Sequence, residues 1–281
     1  MKGLSSNHNH TQFCDGRSTA REMIEAALAL GFTDLGFSSH KDPEIPMDEA
    51  AYLAHLRALQ AEYAGRINVA VGVEQDYYAP VADRSAYDYV IGSVHYVRAA
   101  DGPCQVDAAL PRFGEELARM GGAQAFIKAY YENVMDCVRR QRPEVVGHFD
   151  LVCKNNEAGR FFDEDAPAYR RLALEALDVC IDAGAIVELN TGGLFRGYRT
   201  RPYPALFLLR HLAGRGGRVT LNADAHQAAA LAHWFGPACA LLRSAGFTAQ
   251  TVLRGGRFVE EPLWDEGGIE GKALTDCTIV L

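Results

Sequence analysis

The stretch Asn7-His8-Asn9-His10-Thr11-Gln12-Phe13-Cys14-Asp15-Gly16 gathers metal-ligating side chains close to residue 1. Extended backbone from Gly3 to His10 puts His8 and His10 on one side, because strand side chains repeat every two residues. Two imidazoles on one face suit a divalent cation. Asp15, in a turn ending at Gly16, adds a carboxylate oxygen. Taken alone, the segment reads equally well as a polar stretch that contains histidine, since motifs this short also match by chance. Ligand types recur downstream at His40, Glu74, His95, His148, Asp224 and His226.

The elements that must position these residues alternate in type. The opening strand is followed by Thr19 and Glu22 at capping-box spacing. Met23, Ala26, Ala27 and Leu30 then keep a helical period, which Gly31 stops. Strands are expected at 33–40, 67–74, 87–95, 144–150, 185–190 and 218–226. Helices are expected at 47–63, 123–140, 167–183, 203–212 and 228–244. Residues 97–121 read as a long loop or excursion, Thr191-Gly192-Gly193 as a turn, and 251–259 as a last strand. The tail from Trp264 carries no readable pattern. Seven strand-then-helix units imply parallel strands with crossover helices, and one barrel is the simplest closure. In such barrels chemistry gathers where strands end and loops begin. The ligand types fall at those ends. A lone histidine is more often a packing or surface residue. Repetition at the same end of nearly every strand points instead to a metal site.

Bulk properties agree. The 281 residues, 48% hydrophobic, suffice for one barrel domain spanning 1–281. A net charge of −8 with no run of Lys and Arg argues against nucleic acid as a partner. Seven cysteines without any Cys-x-x-Cys argue against a disulfide framework and for a reducing compartment. No apolar stretch is long enough to span a bilayer, and the first residues lack a signal-peptide pattern. The expectation is a cytoplasmic protein without a membrane partner. Nothing in the sequence sets the oligomeric state.

In order and spacing, His8-x-His10, His40, Glu74, Ser93-Val94-His95, Gly147-His148-x-Asp150 and Asp224-Ala225-His226 resemble the motifs of the polymerase-and-histidinol-phosphatase (PHP) superfamily. The resemblance covers about residues 4 to 226. Asn190-Thr191-Gly192-Gly193-Leu194, Tyr203-Pro204 and Gly147-His148-Phe149-Asp150-Leu151 with Lys154 look like its histidinol-phosphate phosphatase branch. The resemblance implies an α/β fold, a distorted (β/α)7 TIM-like barrel, with two or three divalent metal ions: zinc, iron or manganese. By motif position, His8, His10, Glu74 and Asp224 hold the first ion. Glu74 bridges to a second, shared with His95 and His148. Asp15, His40 and His226 hold the third. The implied reaction is hydrolysis of a small-molecule phosphate monoester, L-histidinol phosphate, in histidine biosynthesis, by metal-activated hydroxide attack on phosphorus. The alternative is a phosphoesterase of the same fold acting on nucleotides, sugar phosphates or DNA ends. A non-catalytic metal-binding barrel is a third reading, disfavoured because every expected ligand position is filled.

The phosphoryl oxygens need donors, and Arg forks match phosphate well. Arg160 and Arg196 lie in the loops after the fifth and sixth expected strands, on the rim that carries the ligands. Lys154, Arg199 and Ser93 are weaker candidates. Asp150 shares a face with His148 and could steady an imidazole from behind. Asp76, two residues after Glu74, has no assigned role. Asn190 could orient a ligand, touch substrate or cap its turn. Cys14 reads as a packing thiol. Asp107, Glu115 and Glu116 in the excursion could meet a substrate amine, with nothing to choose among them.

Overall fold

The computed structural model describes residues 3–264. The chain runs β1 (Leu4–Ser6), α1 (Ala20–Ala29), β2 (Phe32–Phe37), β3 (His40–Lys41), α2 (Glu49–Glu62), β4 (Asn68–Asp76) and β5 (Tyr89–Ser93). Next come β6 (Tyr96–Ala99), β7 (Gly102–Gln105), α3 (Leu110–Arg119), α4 (Ala123–Asp136), β8 (Val145–Val146), α5 (Pro167–Asp182) and β9 (Ile186–Asn190). The last are α6 (Gly192–Phe195), α7 (Leu206–Gly214), β10 (Arg218–Asn222), α8 (Phe235–Ala245), β11 (Ala249–Arg254) and β12 (Arg257–Pro262). Seven parallel strands follow one another in the order β1-β2-β4-β5-β8-β9-β10, with short β3 added beside β4. A bridge between Asn9 and Ala225 joins the two ends of that path: His10 N–H donates to Ala225 O at 2.8 Å and Ala225 N–H to His8 O at 3.3 Å. The result is a nearly closed barrel with flanking helices, as expected from the alternating pattern.

Local chemistry explains the elements. Val69, Val71 and Val73 fit a pleated, buried strand. Thr19 and Glu22 close a reciprocal capping box at the start of α1, whose Met23, Ile24 and Ala27 turn inward. Tyr89 lies across the inside of the barrel, and its hydroxyl is shared between Asn7 O at 2.5 Å and Phe37 O at 3.0 Å. Gly36 and Gly72 make room for it: a Cβ would meet the Tyr89 side chain at 2.4 and 2.2 Å respectively. Below Tyr89 the lumen is apolar, with Ala70, Ile91, Val145, Ile186 and Leu253 packed together.

Leu253 belongs to the β11–β12 antiparallel hairpin, which covers the end of the barrel where strands begin. Arg254 locks it there, donating to Asp34 at 2.8 Å, Gly3 O at 2.8 Å and Glu261 at 2.9 Å.

Six expectations on elements need correction. The helix expected from residue 228 begins as α8 only at Phe235, after a short turn at Ala228–Ala230. The stretch 97–121 is not a plain loop but carries the β6–β7 hairpin and α3. The helix expected from Tyr203 starts at Leu206, because Tyr203 pairs antiparallel with Asn190. The single last strand is a hairpin, since Gly255 and Gly256 adopt φ of +52° and +79° and reverse the chain. Thr191-Gly192-Gly193 opens the short helix α6. The strand expected at 144–150 is only Val145–Val146, because His148 turns the chain away at φ +21°. The tail lies outside the described residues from position 265 on.

Candidate metal centre

Strand geometry brings the expected ligands to one end of the lumen. His8 and His10 follow β1 and are fully buried; Glu74 stands near the end of β4; His95, His148 and Asp224 follow β5, β8 and β10. His8 Nε2 is 3.3 Å from Glu74 Oε2 and 3.7 Å from Asp224 Oδ1; His10 Nε2 is 3.5 and 3.2 Å from the same two atoms. His148 Nε2 and His95 Nε2 approach the other Glu74 oxygen, Oε1, at 2.9 and 3.5 Å. Asp15 sits between His40 Nε2 at 3.6 Å and His226 Nε2 at 3.2 Å, with His10 Nδ1 at 3.9 Å. His40 faces both groups, its Nδ1 lying 3.0 Å from Glu74 Oε2.

These donors fit divalent cations. Atoms bound about 2.1 Å from one tetrahedral ion stand about 3.4 Å apart, which is the spacing seen around His8, His10, Glu74 and Asp224. Nε2 of His8 and His10, Nδ1 of His40 and Oε2 of Glu74 are buried without hydrogen-bond partners. Buried polar atoms are normally satisfied, so four such atoms aimed at common ground call for a cation. Backbone strain points the same way. Asp224 holds φ +48° and His148 φ +21°, conformations that non-glycine residues rarely adopt and that cluster at functional sites.

Electrostatics supply a second view. Burial opposes charge on every group here, and opposite charges outweigh it at most of them. His40 and His95 are pushed up to about 9, against burial, chiefly by the Glu74 carboxylate. His8 is raised, against burial, by Glu188, Glu74 and Asp224. His10 drops to about 3 through burial and the neighbouring imidazoles of His226 and His40. Glu74, Asp224 and Asp15 are held ionised in spite of burial by surrounding imidazoles, with Arg196 the largest helper at Asp224. Without metal, protons on the imidazoles balance the carboxylates; a cation at the same place would displace them.

The model of the PHP domain family matches residues 6–192, about two thirds of the chain by length. This chain belongs to the PHP domain family. It is 33% identical to a Deinococcus radiodurans protein named "Probable histidinol-phosphatase", over 88% of this chain and 95% of that one. It is 27% identical to the histidinol-phosphatase of Bacillus subtilis, over 79% of this chain and 92% of that one. Its fold is similar to a histidinol phosphate phosphatase of Lactococcus lactis solved with zinc, L-histidinol and phosphate. There the TM-score is 0.64 at 20% identity, covering 92% of this chain and 99% of the other.

On this PHP barrel a cavity of about 460 Å³ opens beside the donors, lined by Asp15, Arg17, Lys154, Arg196, Tyr198, Asp224 and His226 among others. Arg196 donates to Asp224 Oδ2 at 2.8 Å and lies 2.9 Å from His226 Nδ1, while its Nε has no partner. Lys154 donates to Asp107 O at 2.7 Å and rests 4.5 Å from the Tyr198 ring centroid. Three other expected substrate contacts are placed elsewhere. Arg160 is exposed beyond the turn Glu157–Gly159 and does not line the cavity. Arg199 is buried in a scaffold role, donating to Cys153 O at 2.6 Å and Glu164 at 3.1 Å. Ser93 is buried and gives its hydroxyl proton to Glu74 Oε1 at 2.6 Å.

The supporting carboxylates are also rearranged. Asp150 does not reach an imidazole; it accepts Ala205 N–H at 2.9 Å, and burial pushes it up to about 6. Asp76, without an expected role, accepts His95 N–H at 2.8 Å and lies 3.5 Å from His95 Nδ1. Asp42 stands 3.8 Å from the same nitrogen. Cys14 contacts His10 Nδ1 at 3.6 Å. Glu116 is held by Arg112 and Arg119. Sequence reasoning passed over Arg17, Tyr198 and, above all, Glu188, fully buried at the centre of β9. The signal for Glu188 was present: Ile186, Glu188 and Asn190 alternate onto one face, and an acid in the middle of a buried strand needs partners.

Proposed function

We propose that this chain is a metal-dependent phosphomonoesterase that hydrolyses L-histidinol phosphate to L-histidinol and phosphate. The observation that carries this reading is the convergence of unsatisfied imidazole and carboxylate atoms beside a cation-lined cavity. His8, His10, Glu74 and Asp224 would hold one ion, His95 and His148 with Glu74 a second, and Asp15, His40 and His226 a third. Zinc, iron or manganese bound there would neutralise phosphoryl charge and lower the pKa of attacking water toward neutrality. The chain's own groups do the rest. Arg196, Lys154 and Arg17 present donors to the phosphoryl oxygens from the cavity wall. Arg196 is fixed by Asp224 and His226, so its guanidinium arrives at the cavity wall already oriented. The names of the relatives support histidinol phosphate as the substrate, and the Asn190-Thr191-Gly192-Gly193-Leu194 segment forms part of the cavity wall through Gly192.

The test is turnover by the metal-loaded protein of a panel holding L-histidinol phosphate, nucleotides and sugar phosphates. The highest kcat/KM is expected for L-histidinol phosphate. A nucleotide or sugar phosphate ranked well above it would move the chain to another activity on the same fold.

A further inference from the structure

Glu188 accepts four hydrogen bonds and is closed off from solvent. Its Oε1 takes His8 Nδ1 at 2.7 Å and Asn222 Nδ2 at 2.8 Å. Its Oε2 takes His148 N–H at 2.8 Å and Asn190 Nδ2 at 2.8 Å. Both amides have only one workable orientation. Asn222 Oδ1 accepts Asn7 N–H at 2.8 Å, and Asn190 Oδ1 accepts Gly192 N–H at 2.9 Å. A backbone N–H can only donate, so each amide must turn its NH2 group toward Glu188. Three donors thus face the carboxylate before His8 is considered. A carboxylate so surrounded is an acceptor, and the proton of the fourth bond belongs to His8 Nδ1. With Nδ1 protonated, the nitrogen free to give up its proton to a cation is Nε2 of His8, which faces Glu74 at 3.3 Å and Asp224 at 3.7 Å. The other oxygen grips the main chain of His148 where φ is +21°, a conformation that persists only when its surroundings enforce it.

We propose that Glu188 is a positioning residue for the metal centre. Through one oxygen it sets the His8 tautomer that offers Nε2, and through the other it holds the strained His148 backbone, so a single side chain aligns donors from two strand ends. This rests on the reading that His8 and His148 bind metal.

Glu188→Gln is the discriminating variant, because it keeps the shape and replaces one acceptor oxygen with an NH2 that must face two donors. Zinc affinity, measured by competition with a chromophoric chelator, is expected to fall about 10- to 100-fold, the usual loss when the partner behind a ligating histidine is removed. A purely structural role would lower the melting temperature and leave the chelator titration unchanged, and that result overturns the proposal. A second arm does not depend on the variant folding. Nitrogen-15 NMR of the zinc-loaded wild type should show His8 with its proton on Nδ1; a proton on Nε2 instead overturns the proposal. Wild-type protein that binds no zinc sinks the metal reading itself, whereas equal binding by wild type and Glu188→Gln sinks only the role of Glu188.

Discussion

Glu74 divides its two oxygens between different neighbours. Oε2 faces His8, His10 and His40, while Oε1 faces His95 and His148 and takes the Ser93 hydroxyl. Loss of a partner behind a ligand costs about 10- to 100-fold, so removing a shared donor should cost more. Glu74→Ala is therefore expected to lower kcat/KM by more than about a hundredfold with an unchanged far-UV circular dichroism spectrum. Arg196→Ala removes a charge-assisted contact of about 1.5–3 kcal/mol, so kcat/KM should fall about 10- to 100-fold, mostly through KM. Unchanged efficiency would retire Arg196 as a substrate contact. The pH dependence follows from the imidazoles. His40 and His95 titrate at about 9 without metal and so carry protons at neutral pH. A cation must expel those protons, so affinity should rise from neutral pH to about 9 and level off above it. Calorimetry in buffers of different ionisation enthalpy should find proton release on metal uptake at pH 7 and less at pH 9.5; proton uptake would contradict the assignment. The convergence of the histidines was legible in sequence because strand period and strand end together place them. The rim cations were not: loop residues carry no period, and Arg160 and Arg199 cannot be told from Arg196 by type alone.

At the scale of elements, Tyr89 spans the lumen between the apolar plug and the polar donors. Its hydroxyl ties the carbonyls of Asn7, just before His8, and Phe37. Tyr89→Phe leaves those buried carbonyls short of a donor and should destabilise the fold by about 1–3 kcal/mol in urea unfolding. The strands of the barrel were readable because β-branched runs ended in polar residues. The β6–β7 hairpin and α3 were not. Gly114 weakens the helical signal of α3, whose buried Phe113 and Leu117 hold it by tertiary packing. The start of α7 was misread because the Tyr203–Asn190 bridge, a long-range contact, overrides local propensity.

Across the whole molecule, a centre built from several strand ends links metal content to stability. A ligand that binds only the folded state stabilises it by mass action, about 2.7 kcal/mol when present at a hundred times its Kd. Chelation should lower the melting temperature, and added zinc should restore it in a concentration-dependent way, as read by scanning calorimetry. An unchanged transition would argue against loading of the centre. The seven-strand barrel was legible at this scale because each strand-then-helix unit announces a parallel neighbour. How the barrel shuts was not, since the single bridge between Asn9 and Ala225 leaves no pattern in the sequence.

That seam between Asn9 and Ala225 also orders events during synthesis. The imidazoles of His8 and His10 emerge from the ribosome more than two hundred positions before their carboxylate partner Asp224. A nascent or truncated chain ending short of it offers isolated histidines but never the assembled cage. Loading of the complete cage must therefore await synthesis of Asp224.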